Sequence, residues 1–151
     1  MDLYSFQSVG SETKGEHSVI ELHLSMRRIP AAIAPVVDLL MRVIRACQCV
    51  HREDRTVETA LQEALKIAVF CDLKTPGPRE DIRVQCRCES EREVLVMISL
   101  DRAMTSRSRQ WAIEPSVHLI KRCVDEVHVE QDGASLRLRK RRHSERLAAE
   151  C

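Results

Sequence analysis

The chain has few glycines, few aromatic side chains and no long apolar run. Its 151 residues include four glycines, and aromatic residues make up 3% of the sequence. The scarcity of aromatic residues predicts an aliphatic core, and no segment approaches the ~18 apolar residues that a transmembrane helix needs. The first residues also lack the apolar segment of a signal peptide. We therefore expect a soluble, cytoplasmic protein that does not bind a membrane.

The chain also lacks a strong net charge. A formal net charge of +1 excludes a general attraction to nucleic acid or to an anionic membrane surface. Basic residues are concentrated in "RLRKRRHSER", residues 137–146. Because Arg137 and Arg139 alternate with leucines, we interpret the segment as the outward face of a strand followed by a solvated tail. Nucleic-acid binding by this basic C-terminus is the alternative, and we consider it the weaker one.

Length and hydrophobic periodicity predict one domain. A length of 151 residues fits a single domain, with 44% hydrophobic and 31% charged residues. Residues 1–17 are polar without a period and are predicted to be a flexible N-terminal tail. Residues 18–140 form the predicted domain, and residues 141–151 a basic C-terminal tail. Alternating patterns predict strands at 18–24, 81–89 and 93–100, and a hairpin after residue 125. Helical spacing predicts helices over about 30–47 and 53–71, and after Pro115.

The order β-α-α-β-β-loop-α-β-β predicts an α/β (α+β) two-layer sandwich. Its sheet is expected to be mostly antiparallel and five-stranded, with three helices on one face.

Seven cysteines include two C-x-C pairs, Cys47/Cys49 and Cys86/Cys88. Structural zinc sites usually space their paired cysteines as C-x(2–4)-C, and C-x-C on a strand places both thiols on one face. Buried cysteine also packs as a small hydrophobic residue. We predict free thiols that pack in the core and no metal site, with zinc binding as the alternative.

Three stretches together resemble a known family. They are "VETALQEALKIAV", "EREVLVMISLDRAM" and "HLIKRCVDEVHVEQDGASLRLRK". They are similar to the N-box helix, to the strand before the D-x-G-x-G motif and to the closing helix-strand-strand of the anti-sigma-factor serine kinases of partner-switching systems. The resemblance covers about residues 18–140. It implies the histidine-kinase-like ATPase fold, also called the Bergerat fold.

The resemblance implies a nucleotide site whose motifs are degenerate. Glu63 matches the family's general base, and Asp101 matches its adenine-binding Asp. The family's magnesium-binding Asn corresponds to Ile67, which has no oxygen to offer a hard cation. The family's motif glycines correspond to Ala103 and Thr105. No glycine lies between Asp101 and the last helix, although phosphate-binding loops use glycine for close backbone approach.

Each candidate site residue also has a purely structural interpretation. Glu63 is then a solvated or ion-paired residue of a helix, which we favour, and Asp101 a residue that closes a turn, for which we have no preference. Trp111 is either a partner-contact residue or, as we favour, part of a group with Ile67 and Phe70 that fills the nucleotide pocket.

The sequence therefore predicts a regulatory domain that acts mainly by protein–protein binding, a pseudokinase with no cofactor, although the family uses ATP and magnesium. The resemblance implies a sigma factor, a STAS-type antagonist or a second copy of the chain as partner. An active ATP-dependent protein serine/threonine kinase that uses Glu63 is the alternative.

Overall fold

The computed structural model describes residues 3–14, 17–70, 81–100, 115–130 and 135–142. These residues form six strands and three α-helices, preceded at the first helix by a short 3-10 turn at Pro30–Ala32. In chain order they are β1 (Tyr4–Lys14), β2 (His17–Arg27), α1 (Ile33–Ala46), α2 (Thr56–Phe70), β3 (Asp81–Glu89), β4 (Glu93–Leu100), α3 (Pro115–Cys123), β5 (Glu126–Glu130) and β6 (Ser135–Arg141). Among the described helices, none is long and apolar enough to cross a membrane.

The strands form one antiparallel sheet in the order β1-β2-β3-β4-β6-β5. Helices α1 and α2 connect the neighbouring strands β2 and β3, and β3 and β4 form a hairpin. The hairpin turn places Glu91 at a φ of 63°. The predicted α+β class and the antiparallel pairing are confirmed.

The predicted number of strands is wrong, because the described sheet has six strands and not five. The additional strand, β1, lies within residues 1–17, which we expected to be a flexible tail. In its sequence, YSFQSVGSETK, the apolar residues Tyr4, Phe6 and Val9 do not keep a strict alternation. It is a strand because it pairs with β2 from Tyr4↔Met26 to Lys14↔His17, with a register shift between Phe6 and Ser8.

One apolar layer between the sheet and the helices forms the core. Alternate residues of the four central strands are buried in it, such as Leu24, Val84, Val96 and Leu138. The same cluster takes in the buried sides of α1, α2 and α3. All three helices therefore cover one face of the sheet, as predicted. The core is aliphatic, as the scarcity of aromatic residues predicted.

The beginnings of the helices follow from local chemistry. Pro30 begins the turn before α1, where a missing N–H costs nothing. Before α2, the Asp54 carboxylate accepts a hydrogen bond from the backbone N–H of Thr56 at 2.8 Å. Glu58 in the first turn of α2 lies 3.7 Å from the Arg45 guanidinium of α1. This ion pair connects the two helices.

The end of α1 is a Schellman motif, which fixes the segment after the helix. The N–H of Gln48 donates to the carbonyl of Arg45 at 3.1 Å, and the N–H of Cys49 donates to the carbonyl of Ile44 at 3.3 Å. Gln48 has a φ of 56°, in the left-handed region where this motif usually has glycine. The chain therefore reverses sharply at Gln48.

Candidate functional site

Helix α2 carries the carboxylate that the family resemblance identifies as a general base. The side chain of Glu63 is 20% exposed, and its Oε1 lies 3.3 Å from the Lys66 Nζ one turn later. Lys66 itself is 53% exposed. The pair is thus a partly solvated i,i+3 ion pair, which matches our structural interpretation of Glu63.

The next positions on α2 are apolar. Ile67 is partly buried and packs against the core, one turn after Glu63. Phe70 at the end of the helix is 66% exposed. The residues that would complete a nucleotide pocket, Trp111 among them, lie outside the described part of the chain, so the filling role of Phe70 stays a prediction. Ile67 faces the protein interior, where its methyl groups offer no ligand to a cation.

Two predicted site residues lie outside the described residues. They are Asp101, the predicted adenine-binding residue, and Trp111, the predicted pocket-filling residue. The glycine-poor stretch 101–114 lies outside as well. For these residues the sequence interpretation stays a prediction.

The structure brings the two C-x-C pairs together. The Sγ atoms of Cys47, Cys49 and Cys88 all lie within 4.8 Å of one another. The Cys86 Sγ lies 3.7 Å from the Cys88 Sγ. All four side chains are buried, with Cys49 and Cys88 at 0% exposure. We call these four residues the thiol cluster. Its members come from two elements that are far apart in sequence.

Local structure explains why four thiols converge. On β3, residues at i and i+2 point to the same face, so Cys86 and Cys88 both face the helix layer. At the end of α1, Cys47 is the C-cap residue, and the Schellman motif turns Cys49 back towards the core. The exposed Gln48 lies between two buried thiols. Cys47 continues the buried side of α1, and the sharp reversal at Gln48 brings Cys49 back to the same side.

The surroundings of the cluster favour protonated thiols. For Cys49, the hydrogen bond with Cys88 and then burial raise the pKa far above its ordinary value. For Cys88, the hydrogen bond with Cys49 lowers the pKa, but the bond with Cys86 and burial outweigh it and raise the pKa overall. Burial also raises the pKa of Cys47. Without a cation, these thiols are neutral and unreactive.

Sequence reasoning correctly predicted that the described cysteines are buried, but it did not predict that the two pairs meet. Among the described residues, Cys47, Cys49 and Cys88 are the only group of three or more side chains placed to hold a metal ion. One signal was present in the sequence: one C-x-C pair lies at the end of a predicted helix and the other on a predicted strand, and both elements contribute to the same core. That signal becomes specific only once α1 is known to end over β3.

The described part of the basic segment is paired with acidic side chains. Arg139 lies 3.5 Å from Glu93 and 3.2 Å from Glu126. Arg141 lies 3.4 Å from Glu126 and 3.9 Å from Glu93. These pairs bind β6 to its neighbours β4 and β5. Arg139 and Arg141 are therefore paired with carboxylates within the sheet.

Strand β1 presents apolar side chains to solvent. Phe6 is 54% exposed and Val9 is 64% exposed. They pair with Leu24 and Leu22 of β2, so they lie on the helix-covered side of the sheet but beyond the helices. Only Tyr4, whose ring contacts Phe6 edge-to-face at 6.0 Å between centroids, packs partly against the core. We call Phe6 and Val9 the β1 patch.

No protein-family model matches the chain, and no curated protein matches it either. The resemblance to the anti-sigma-factor serine kinases therefore rests on the three sequence stretches alone.

Proposed function

We propose that the chain is a regulatory domain of the anti-sigma serine-kinase type that acts by binding another protein and no longer turns over ATP. The observation that carries this proposal is Ile67, which packs against the core one turn after Glu63. Magnesium requires oxygen ligands, and phosphoryl transfer requires magnesium to bridge the β- and γ-phosphates. The helix that would carry the catalytic base has an aliphatic side chain at the metal-binding position.

The environment of Glu63 supports the same conclusion. A general base must be free to accept a proton from a positioned substrate. Here the carboxylate accepts a hydrogen bond from the Lys66 Nζ at 3.3 Å, on the same helix. Glu63 therefore acts as a surface residue that forms a local ion pair.

The β1 patch supports a role in protein binding. β1 is at one end of the sheet order, and within the described residues only β2 pairs with it. An edge strand with exposed apolar side chains can pair with a strand of another chain. The partner that we propose is a sigma factor, a STAS-type antagonist or a second copy of this chain.

A thermal melt with and without magnesium and ATP tests the loss of nucleotide binding. A ligand present at 100 times its Kd stabilises a folded protein by about 2.7 kcal/mol, which raises Tm by roughly 5–10 °C at this chain length. We expect no rise for the wild-type chain. A clear rise would contradict the proposal and favour the active kinase.

Ile67→Asn sharpens this experiment, because it returns an amide oxygen to the position that matches the family's metal ligand. We expect a loss of stability of about 1–2 kcal/mol from reduced packing and still no response to nucleotide. Ile67→Val is the matched control, since it keeps the side chain aliphatic. If only Ile67→Asn gains a nucleotide-dependent rise in Tm, the rest of the phosphate site is intact. Ile67 alone then explains why the wild-type chain does not bind nucleotide.

The active kinase is the second candidate, and the partial exposure of Glu63 on α2 is the observation in its favour. It predicts transfer of labelled phosphate from ATP to a candidate antagonist, abolished by Glu63→Ala. We expect no transfer by the wild-type chain. A nucleic-acid role, the third candidate, would show as DNA binding that weakens steeply with salt. The pairing of Arg139 and Arg141 with carboxylates argues against it.

The β1 patch can be tested separately. Val9→Lys places a charge in the patch, and we expect it to weaken partner binding or self-association at least tenfold, measured by calorimetry or by light scattering. Ser5→Lys is the matched control: it adds the same charge to the same strand at an exposed position opposite Ser25. Equal weakening by both variants would show that charge, and not the patch, is responsible.

A further inference from the structure

We propose that the thiol cluster is a binding site for a thiophilic d10 metal ion, Zn²⁺ or Cu⁺, held by Cys47, Cys49 and Cys88, with Cys86 available as a fourth ligand. This site is independent of the proposed protein-binding function, and it revises the sequence prediction that these cysteines only pack.

The sulfur positions fit a metal ion. Zinc–sulfur bonds of about 2.3 Å at tetrahedral angles place two sulfurs about 3.8 Å apart. The Cys86 and Cys88 sulfurs are 3.7 Å apart, and the trio of Cys47, Cys49 and Cys88 sulfurs lie within 4.8 Å of one another. A contraction of about 1 Å or less brings that trio to bonding distance.

The donor set selects the class of metal. Thiolates are soft ligands that favour Zn²⁺ and Cu⁺ over magnesium, calcium or manganese. Three thiolates suit a trigonal Cu⁺ site, and four suit tetrahedral Zn²⁺. The spacing C-x-C within each pair is not the usual C-x(2–4)-C of zinc sites. Here the ligand geometry is produced by the meeting of two segments rather than by the spacing within either one.

Burial indicates a structural site rather than a catalytic one. Cys49 and Cys88 are fully buried, so the ion would have no open position for a substrate. The bound ion would fasten the end of α1 to the middle of the sheet. The Arg142 guanidinium donates a hydrogen bond to the Gln48 carbonyl at 3.0 Å and so places a positive charge beside the loop that carries two ligands. That charge favours the anionic metal–thiolate complex.

Binding must release protons in a defined number. Each neutral thiol loses its proton when its sulfur becomes a ligand, so a divalent ion with three ligands gives M²⁺ + 3 RSH → [M(SR)₃]⁻ + 3 H⁺. Participation of Cys86 raises the number to four. The proton count therefore distinguishes the two forms of the site.

The experiment uses the full chain, reduced, freed of metal with a chelator and kept without oxygen. Co²⁺ is titrated first, because tetrahedral cobalt thiolates have characteristic visible and charge-transfer bands, and Zn²⁺ is then added to displace it. Cu⁺ is titrated separately against a coloured Cu⁺ chelator. Tm and proton release are measured for each metal.

We expect one ion per chain, a rise in Tm of roughly 5 °C or more, and release of three to four protons. Cys88→Ala should abolish the binding and the rise. Cys47→Ala is the second variant, in case loss of the fully buried Cys88 prevents folding. Cys123→Ala is the matched control, since Cys123 is a buried thiol of α3 outside the cluster, and it should bind like the wild type. Cys86→Ala should reduce the number of protons released on metal binding only if Cys86 is a ligand.

Three results would overturn the proposal. One is the absence of any metal-dependent band, Tm shift or proton release. Another is binding that survives both Cys88→Ala and Cys47→Ala, which would place the metal elsewhere. The last is a disulfide between cluster cysteines in freshly isolated protein, seen as a loss of two mass units, together with no metal binding after reduction.

Discussion

The exposed side of α2 and the thiol cluster gather reactive side chains in opposite ways. Glu63 and Lys66 are neighbours on one helix, and both charged side chains are partly exposed to solvent. The four thiols come from two distant segments and are shielded from solvent. On α2, the sequence suggests a catalytic role for Glu63, but the structure gives that role little support. In the thiol cluster, the C-x-C spacing does not predict metal binding, and the proposed metal site depends entirely on the fold.

The difference also decides how each region responds to change. Partly exposed charges are screened, so altering them has small effects on stability. Buried groups cannot change their protonation state without a large free-energy cost. A change of pH or of a single side chain should therefore alter the free energy of unfolding much more at the thiol cluster than at the exposed side of α2.

The largest expected effect is the loss of stability of the metal-free protein at alkaline pH. The pKa values of Cys49 and Cys88 are raised in the folded state, whereas unfolded thiols titrate near an ordinary pKa of about 8.5. The stability gained from neutral thiols is therefore fully present below about pH 8.5 and is lost as pH rises above it. At pH 10.5, two units above the ordinary thiol pKa, we expect a loss on the order of a few kcal/mol in all.

Urea unfolding at pH 7.5 and pH 10.5, with a reducing agent and a chelator, measures this loss. Other groups also titrate in this range, so the informative quantity is the difference between variants. Cys88→Ala should lose less stability than the wild type, because one raised thiol is absent and the Cys49 pKa loses the hydrogen bond that raises it most. Glu63→Gln should lose as much as the wild type. Equal losses in all three chains would show that the cluster does not hold its thiols neutral.

The sequence predicted those parts of the molecule that local patterns determine. Strands β3 and β4 have the bounds that alternation predicted, Asp81–Glu89 and Glu93–Leu100, because one face of each is buried. Strand β1 was missed because its register is set by backbone pairing with β2 and its apolar side chains are exposed. Hydrophobic alternation cannot indicate a strand whose faces are not divided between core and solvent.

The same reasoning explains the two candidate sites. Glu63 and Ile67 are one helical turn apart, so their relation is fixed by helix geometry and could be inferred from the sequence. The thiol cluster needs α1 to end over β3 and Gln48 to adopt a left-handed conformation, and both conditions depend on tertiary packing. C-x-C spacing alone therefore predicted packing, and only the fold indicates a metal site.

An intermediate effect is expected at Gln48, which holds Cys47 and Cys49 in the cluster. A left-handed conformation costs a residue with a side chain about 1–2 kcal/mol, and glycine avoids this cost but loses more entropy on folding. Gln48→Gly should therefore raise the free energy of unfolding by up to about 1 kcal/mol. Gln48→Val should lower it by about 1–2 kcal/mol, because β-branched residues fit this region worst.

Chemical denaturation of both variants checks this prediction, and metal titration extends it. Because the Schellman motif turns Cys49 back towards the core beside Cys47, Gln48→Val should weaken metal binding, whereas Gln48→Gly should preserve it. The mutation touches no sulfur, so a metal affinity unchanged in Gln48→Val would show that the ligands do not depend on this turn. Such a result would contradict our inference that the turn at the end of α1 positions the ligands of the cluster.

The smallest effect is expected at Glu63. Its ion pair with Lys66 is an i,i+3 pair with one partner 53% exposed, and pairs of this kind contribute about 0.2–0.5 kcal/mol. Glu63→Gln should therefore change the free energy of unfolding by less than about 0.5 kcal/mol, and the change should shrink in high salt. Lys66→Gln and the double variant complete a mutant cycle that isolates the pair energy. A stabilisation well above 1 kcal/mol on replacing Glu63 would contradict the surface role, because catalytic carboxylates are held at a cost to stability and their removal relieves it.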